Sequence, residues 1–264
     1  MLPENLPGVP RRLVVLNPKG GSGKTTVATN LAAWCAVHGG PTALMDYDPQ
    51  GCSTRWLANR PDTRPPIHGI AAFRLNQHMT RSWQLRTPPG TEYLVVDTAA
   101  AVPAQNITEY TRGARAVIIP VGATDIDIHA AAGFIRDLLL VAKEDRRQGR
   151  VAVIANRVRQ GTVAQARLMR FLDTLEIPCL TVLRDSQVYA HAAQQGLGVH
   201  EFKPYQVRRD LEQWAPLLSW IGRRCADPSP ATEFRPADHA ATVTRLQCAP
   251  GSASRTGPPV SNPE

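Results

Sequence analysis

Asn17-Pro18-Lys19-Gly20-Gly21-Ser22-Gly23-Lys24-Thr25-Thr26 is the stretch that decides the fold. The apolar run Leu13–Leu16 precedes it and reads as a buried strand. Val27, Leu31 and Cys35 follow at helical spacing, so a helix opens near Lys24. A strand, a glycine-rich turn and a helix N-terminus in that order form a cradle for a polyphosphate. Gly20, Gly21 and Gly23 let the backbone wrap an anion with its N–H groups turned inward, and Ser22 and Thr26 lie within the wrap. Lys24 supplies a point charge to the β- and γ-phosphates, and the Thr25 hydroxyl is a ligand for Mg²⁺.

Outward from this loop, strand and helix signals alternate. Further β-branched apolar runs occur at Thr42–Met45, Tyr93–Val96, Ala116–Pro120, Val151–Ala155 and Cys179–Leu183. Helical patterns include Phe134, Leu138 and Val141, then the stretches Val163–Leu175 and Ser186–Gln195. The alternation predicts an α/β domain, an open and mostly parallel sheet with helices on both faces. Ligands in such folds bind at the carboxyl ends of the strands. Acids stand at two of those ends. Asp46-Tyr47-Asp48-Pro49-Gln50 closes the second run, and Asp97 closes Tyr93-Leu94-Val95-Val96. Carboxylates there can hold the waters of Mg²⁺ and orient an attacking water.

Lys19 is extra to the basic phosphate-loop pattern. With it the segment resembles the deviant Walker A box, K-G-G-x-G-K-[ST], of the ParA/MinD family of ATPases. The resemblance implies ATP and Mg²⁺ as ligands. It also implies that Lys19 crosses to the nucleotide of a second subunit, giving an ATP-sandwich homodimer. Asp46–Gln50 resembles the family's D-x-D-P-Q box, which gives Asp48 the hydrolytic role and leaves Asp46 as supporting acid at the metal. Asp97-Thr98-Ala99-Ala100 stands where many members have D-T-P-P, so Asp97 keeps the metal-holding place while the following loop departs. Val117–Val121 resembles the family's V-I-I-P-V strand, and Asn156-Arg157-Val158 its N-R-V segment, whose asparagine reads adenine. An amide can pair with adenine's donor and acceptor edge. The resemblance spans about residues 12–222.

Composition narrows the classes. The chain has 264 residues, 43% apolar and 20% charged, enough for a packed core. No apolar run approaches the ~20 residues of a membrane span, and the polar, Pro-rich start carries no secretory pattern. The five cysteines are scattered without C-x-x-C, which fits a reducing cytoplasm rather than a disulfide or zinc framework. Residues 1–11 read as a flexible leader, 12–224 as the ATPase domain, and 225–264 as a disordered Pro-rich tail. The net charge of +8 is concentrated in residues 143–224. Arg157, Arg159, Arg167, Arg170, Lys203, Arg208 and Arg209 are candidate contacts to DNA phosphates, though the same excess fits a plain solvated surface.

Within the family three uses compete. A ParA-type positioner binds DNA non-specifically and moves a cargo over the nucleoid with a ParB-like or McdB-like partner that stimulates slow hydrolysis. A MinD-type protein binds membrane through a basic amphipathic terminal helix. A metabolic member acts on a small molecule, as cobyrinate and dethiobiotin synthases do. Leu211, Trp214, Leu218 and Ile221 do form an apolar stripe, but Pro216 interrupts it and a polar tail follows, so a core-docked helix is expected. With about ten residues before the first strand, no operator-reading domain is expected either. A small stand-alone ParA fits these features, with plasmids, carboxysomes (the McdA type) and chemotaxis arrays as open choices of cargo.

Overall fold

Among the described residues, seven parallel strands form one sheet in the order β3-β2-β4-β1-β5-β6-β7. The computed structural model describes residues 9–74, 80–140 and 149–226. The strands are β1 (Arg11–Val15), β2 (Thr42–Asp46), β3 (Ile67–Ala71), β4 (Tyr93–Asp97), β5 (Ala114–Val121), β6 (Val151–Val158) and β7 (Cys179–Arg184). The helices are α1 (Lys24–His38), α2 (Cys52–Ala58), α3 (Arg81–Gln84), α4 (Ala104–Thr111), α5 (Asp125–Leu140), α6 (Val163–Asp173), α7 (Gln187–Gln194) and α8 (Pro204–Cys225), with a 3₁₀ turn at Val199–Glu201. The expected doubly covered parallel sheet is the observed one.

The apolar runs have no visible period because both faces are covered, yet successive residues still alternate. Leu13 and Val15 face a core shared with α1, α2 and α8, whose largest member is the fully buried Trp214. Val14 and Leu16 face the opposite core, with Phe134 and Leu138 of α5 and Leu168 of α6. Burial of such side chains on both faces, about 1.5–3 kcal/mol each, carries the fold.

Register does the work of placing the site. Val15 pairs with Asp97, and Asp46 pairs with the same Asp97. The end of β1, from which the phosphate loop departs, therefore lies level with both strand-end acids at the carboxyl edge.

Three features differ from the sequence reading or extend it. β3 carries no apolar run: Ile67-His68-Gly69-Ile70-Ala71 is a sheet edge with His68 and Gly69 exposed, so no burial pattern announces it. Pro216 does not interrupt α8, which runs through it to Cys225; the non-helical residue within Pro204–Cys225 is Val207 (φ −130°, ψ 16°). Proline removes one hydrogen bond, but Trp214, Leu217, Trp220 and Ile221 are all buried around it and hold the helix to the sheet. Of the expected stripe, Trp214 and Ile221 are core while Leu211 and Leu218 are half-buried. The apolar face of α8 is thus committed to the core, and among the described residues no helix is long and apolar enough to cross a membrane. The expected leader and tail lie outside the described residues at 1–8 and 227–264. At the boundary, Arg11 opens β1 and its Nε donates to the carbonyl of Cys225, the last residue of α8 (2.8 Å).

Candidate nucleotide site

The phosphate loop is tied down at both ends. Asn17 Nδ2 donates to Pro120 O at the end of β5 (2.8 Å), and Asn17 Oδ1 accepts from Lys19 N (2.8 Å). At the far end Gly23 holds a left-handed φ of 90°, and a Cβ there would overlap the side chain of Asn156. Only glycine meets both demands. Beyond it α1 begins with no side-chain cap and no acid in its first turn, so the orphan N–H groups and positive helix end face the loop.

Lys24 is 6% exposed, and its Nζ donates to Lys19 O at 3.1 Å. Burial pushes this ammonium below the usual lysine range, while Asp97 and Asp48 pull it partly back. A cation held at the positive end of a helix with one carbonyl for company is a seat for an anion.

Asp97 is fully buried. Ser53 Oγ donates to its Oδ2 (2.6 Å), the Thr25 hydroxyl lies close enough to favour the charged carboxylate, and Oδ1 is buried without a partner. Burial pushes its carboxyl up to about 6. An orphaned anionic oxygen beside the Thr25 hydroxyl fits a hard cation completed by phosphate and water, so Thr25 and Asp97 are the residues that would hold Mg²⁺.

The raised carboxyl makes a prediction for the nucleotide-free chain. The native state holds this proton more tightly than the unfolded state, so stability falls as pH rises from about 4 to about 6 and stays lowered above. Asp97→Asn removes that penalty. Urea unfolding should find the variant more stable than the parent at pH 7.5 by on the order of 2–3 kcal/mol, the gap closing towards pH 4. A less stable variant at pH 7.5 would contradict the account.

Asp46 is bonded within its own turn. Its Oδ1 accepts Asp48 N (3.0 Å), and its Oδ2 accepts both Thr54 N and Thr54 Oγ1 (2.9 Å each). These bonds shape the turn from β2 into α2 and position Asp48, and they leave Oδ1 with acceptor capacity to spare. Asp48 is half-buried, with Oδ1 on Gln50 N (2.9 Å), and lies near enough to Lys24 to act on its charge.

Asn156 turns to the phosphate loop. It is 4% exposed and its Nδ2 donates to Ser22 O (2.8 Å). That bond takes one of the amide's two N–H groups and leaves the other N–H and Oδ1 for a further partner. Arg157, grouped with the DNA candidates, is exposed, its Nε 3.9 Å from Asp185 Oδ1, the acid that Arg159 also meets. Its φ is 55°, rare for a residue with a side chain, and Nη1 points at Gly21 O (3.4 Å).

The other basic candidates are exposed and fall into separate groups. Arg159 pairs with Asp185 (3.4 Å), Arg209 bonds Gln160, and Arg208 pairs with Glu212 (3.0 Å), so these cluster where β6 ends and α8 starts. Lys203 stands at the residue before α8, where its side chain makes no capping bond. Arg167 instead pairs with Asp125 at the start of α5 (3.3 Å), and Arg170 lies exposed in the last turn of α6. Ser53, Thr54 and Asp127 were not singled out by the sequence. Ser53 was detectable in principle as a hydroxyl two residues past the Gly51 turn, whereas Asp127 reads as an ordinary acid at a helix start.

Phosphate loop, buried lysine and orphaned strand-end acid together define a P-loop nucleotide-binding protein of the type that carries a second loop lysine. The profile of the CobQ/CobB/MinD/ParA nucleotide binding domain (CbiA) matches residues 13–199. The chain belongs to that family. It is similar to the maintenance of carboxysome distribution protein A of Gloeobacter kilaueensis, 29% identical over 75% of this chain and 88% of that one. The protein of the same name from Halothiobacillus neapolitanus is 25% identical over 72% and 86% of the two chains. In fold it is similar to a plasmid partition protein of Borrelia burgdorferi solved with AMPPNP, at a TM-score of 0.60 and 14% identity, covering 80% of this chain and 100% of that one.

Proposed function

We propose that this chain is a ParA-type ATPase that closes an ATP-sandwich homodimer, binds DNA non-specifically, and uses hydrolysis to position an intracellular cargo over the nucleoid. The carrying observation is Lys19, a second cation on a phosphate loop whose own charge requirement Lys24 already meets. The two similar chains named for carboxysome distribution support a protein cargo of that kind, served by an McdB-like or ParB-like partner.

In this reading residues 12–224 form the ATPase domain, Gly20 to Thr26 wrap the triphosphate, and Lys24 neutralises it. Mg²⁺, held through Thr25 and Asp97, would offset phosphate charge when bound. Asn156 Oδ1 accepts from the base. Asp48, half-exposed on a turn fixed by Asp46, orients the attacking water. Arg157, Arg159, Arg167, Arg170, Lys203, Arg208 and Arg209, all exposed, are the DNA contacts. Joining two basic faces roughly doubles the phosphate contacts and so the salt slope of DNA binding. Turnover is slow until the partner engages.

Lys19→Ala is the test. Labelled-ATP binding to the monomer should survive, while light scattering should find no dimer with a non-hydrolysable ATP analogue and DNA should no longer be retained at 150 mM salt. Undiminished dimerisation in that variant would remove the basis of the reading.

A further inference from the structure

The start of α8 presents an aromatic ring that binding to duplex phosphates does not require. Of the five tyrosines, Tyr47, Tyr93, Tyr110 and Tyr189 are buried or half-buried. Tyr205 is 76% exposed and makes no ring contact among the described residues. The chain beneath it is braced. Pro204 restricts the backbone on one side, and Val207 on the other is 2% exposed with a non-helical φ of −130°. Gln206 N donates to Lys203 O (2.9 Å) and closes the turn. The ring is thus carried on a short turn anchored in the core, beside an open groove of about 540 Å³.

That groove is cationic. Arg184, Arg208 and Arg209 line it together with Tyr205. Arg184 is locked, because its Nε and Nη2 donate to the two oxygens of the fully buried Asp210 (2.9 and 2.7 Å) and tie the end of β7 to α8. The other two are held loosely. Arg208 meets Glu212 with both side chains mostly exposed (3.0 Å; 84% and 62%), and Arg209 meets the neutral Gln160. Contacts of this kind contribute little and exchange readily for a phosphate.

We infer that this groove takes single-stranded DNA, with Tyr205 stacked on an unpaired base and Arg208 and Arg209 on the flanking phosphates. The inference rests on the DNA reading above and adds to it the state of the strand. Cations alone suffice for a duplex, whose bases are already stacked on one another and offer a ring no free face. An unpaired base does offer one, and all four bases have it, so the contact tolerates any sequence. A tyrosine has only two side-chain torsions to fix, so a ring on a braced turn loses little freedom when it stacks. Such a stack carries roughly five- to hundredfold in affinity.

Fluorescence anisotropy of the full chain with AMPPNP and Mg²⁺ tests this, using a labelled oligothymidine strand and a mixed-sequence duplex of the same length. Tyr205→Ser should weaken the strand by roughly five- to hundredfold and leave the duplex within about twofold. Tyr205→Trp keeps a stacking face and should hold the parent's affinity for the strand. Arg209→Ala should weaken both DNAs and lower the salt slope of each by about one. Thermal melting establishes that each variant is folded. A strand carrying 5-iododeoxyuridine should photocrosslink to the parent at Tyr205, located by peptide mapping. A parent that holds only the duplex, or a Tyr205→Ser variant that loses strand and duplex equally or loses neither, would overturn the stacking role while duplex binding stood. A parent that holds neither DNA would instead remove the DNA reading itself.

Discussion

Lys24→Ala should yield a folded chain whose affinity for ATP has dropped by roughly 10²–10³-fold, the loss expected when a desolvated cation is removed from an anion site. Folding itself should not suffer. The ammonium is almost wholly buried, sits at the positive end of α1, and has one neutral acceptor, Lys19 O. Burial, the largest cause, and the positive helix end disfavour the charged form, and Asp97 and Asp48 offset only part of this. The unliganded protein is thus less stable for carrying Lys24, and the bound phosphates compensate. Calorimetric titration with ATP checks the first half of the prediction. Chemical denaturation without nucleotide checks the second, where the variant should match or exceed its parent. Near-parental affinity would mean that the backbone cradle alone holds the phosphates.

How far the sequence could be read follows from what each feature depends on. The sheet was legible because its strands are buried on both faces, so Leu13–Leu16 and Val151–Ala155 appear as unbroken apolar runs. β3 was not, since an edge strand needs only its inner positions and Gly69 lies under Leu57 of α2. At the site, residues whose chemistry is set by the local chain were legible: the glycines, Lys24, and an acid ending an apolar strand. Where the answer depends on which lone pair meets which donor, the sequence is silent. Asp46 and Asp48 look equivalent in a D-x-D turn, yet one accepts three bonds from Thr54 and the backbone of Asp48, and the other one bond from Gln50 N. Asn156 and Arg157 are neighbours whose side chains both turn to the phosphate loop, because the left-handed φ of Arg157 redirects the chain at the end of β6. The Lys19–Asp127 pair joins β1's loop to α5 and exists only once β1 and β5 are side by side.

The largest effect on stability is expected from Arg60→Ala. The Arg60 guanidinium grips Glu201 with both nitrogens (2.8 and 3.0 Å), donates to Pro65 O and Gly196 O (3.0 and 3.1 Å), and lies over the Trp56 ring. The two side chains are 5% and 1% exposed. Glu201 also accepts Gly198 N (2.8 Å), and Asn30 of α1 accepts Val199 N (2.7 Å), so the pair fastens the turn before α8 to both α2 and α1. Gly196 has φ +64° and a Cβ there would overlap the backbone of Arg60, which leaves no slack for another packing. Removing one partner strands a buried charge, a loss of about 3–5 kcal/mol against the 5–15 typical of a whole domain. Arg60→Lys should recover little, since an ammonium cannot reproduce the planar fork. Glu201→Leu combined with Arg60→Met should cost less than the two single changes added together, because no charge is then left unpaired. Urea titration of the parent, the four single variants and the double variant tests this, and additive losses in the double variant, or a loss below about 1 kcal/mol for Arg60→Ala, would show that water reaches the pair and that the clamp is not what secures this corner of the fold.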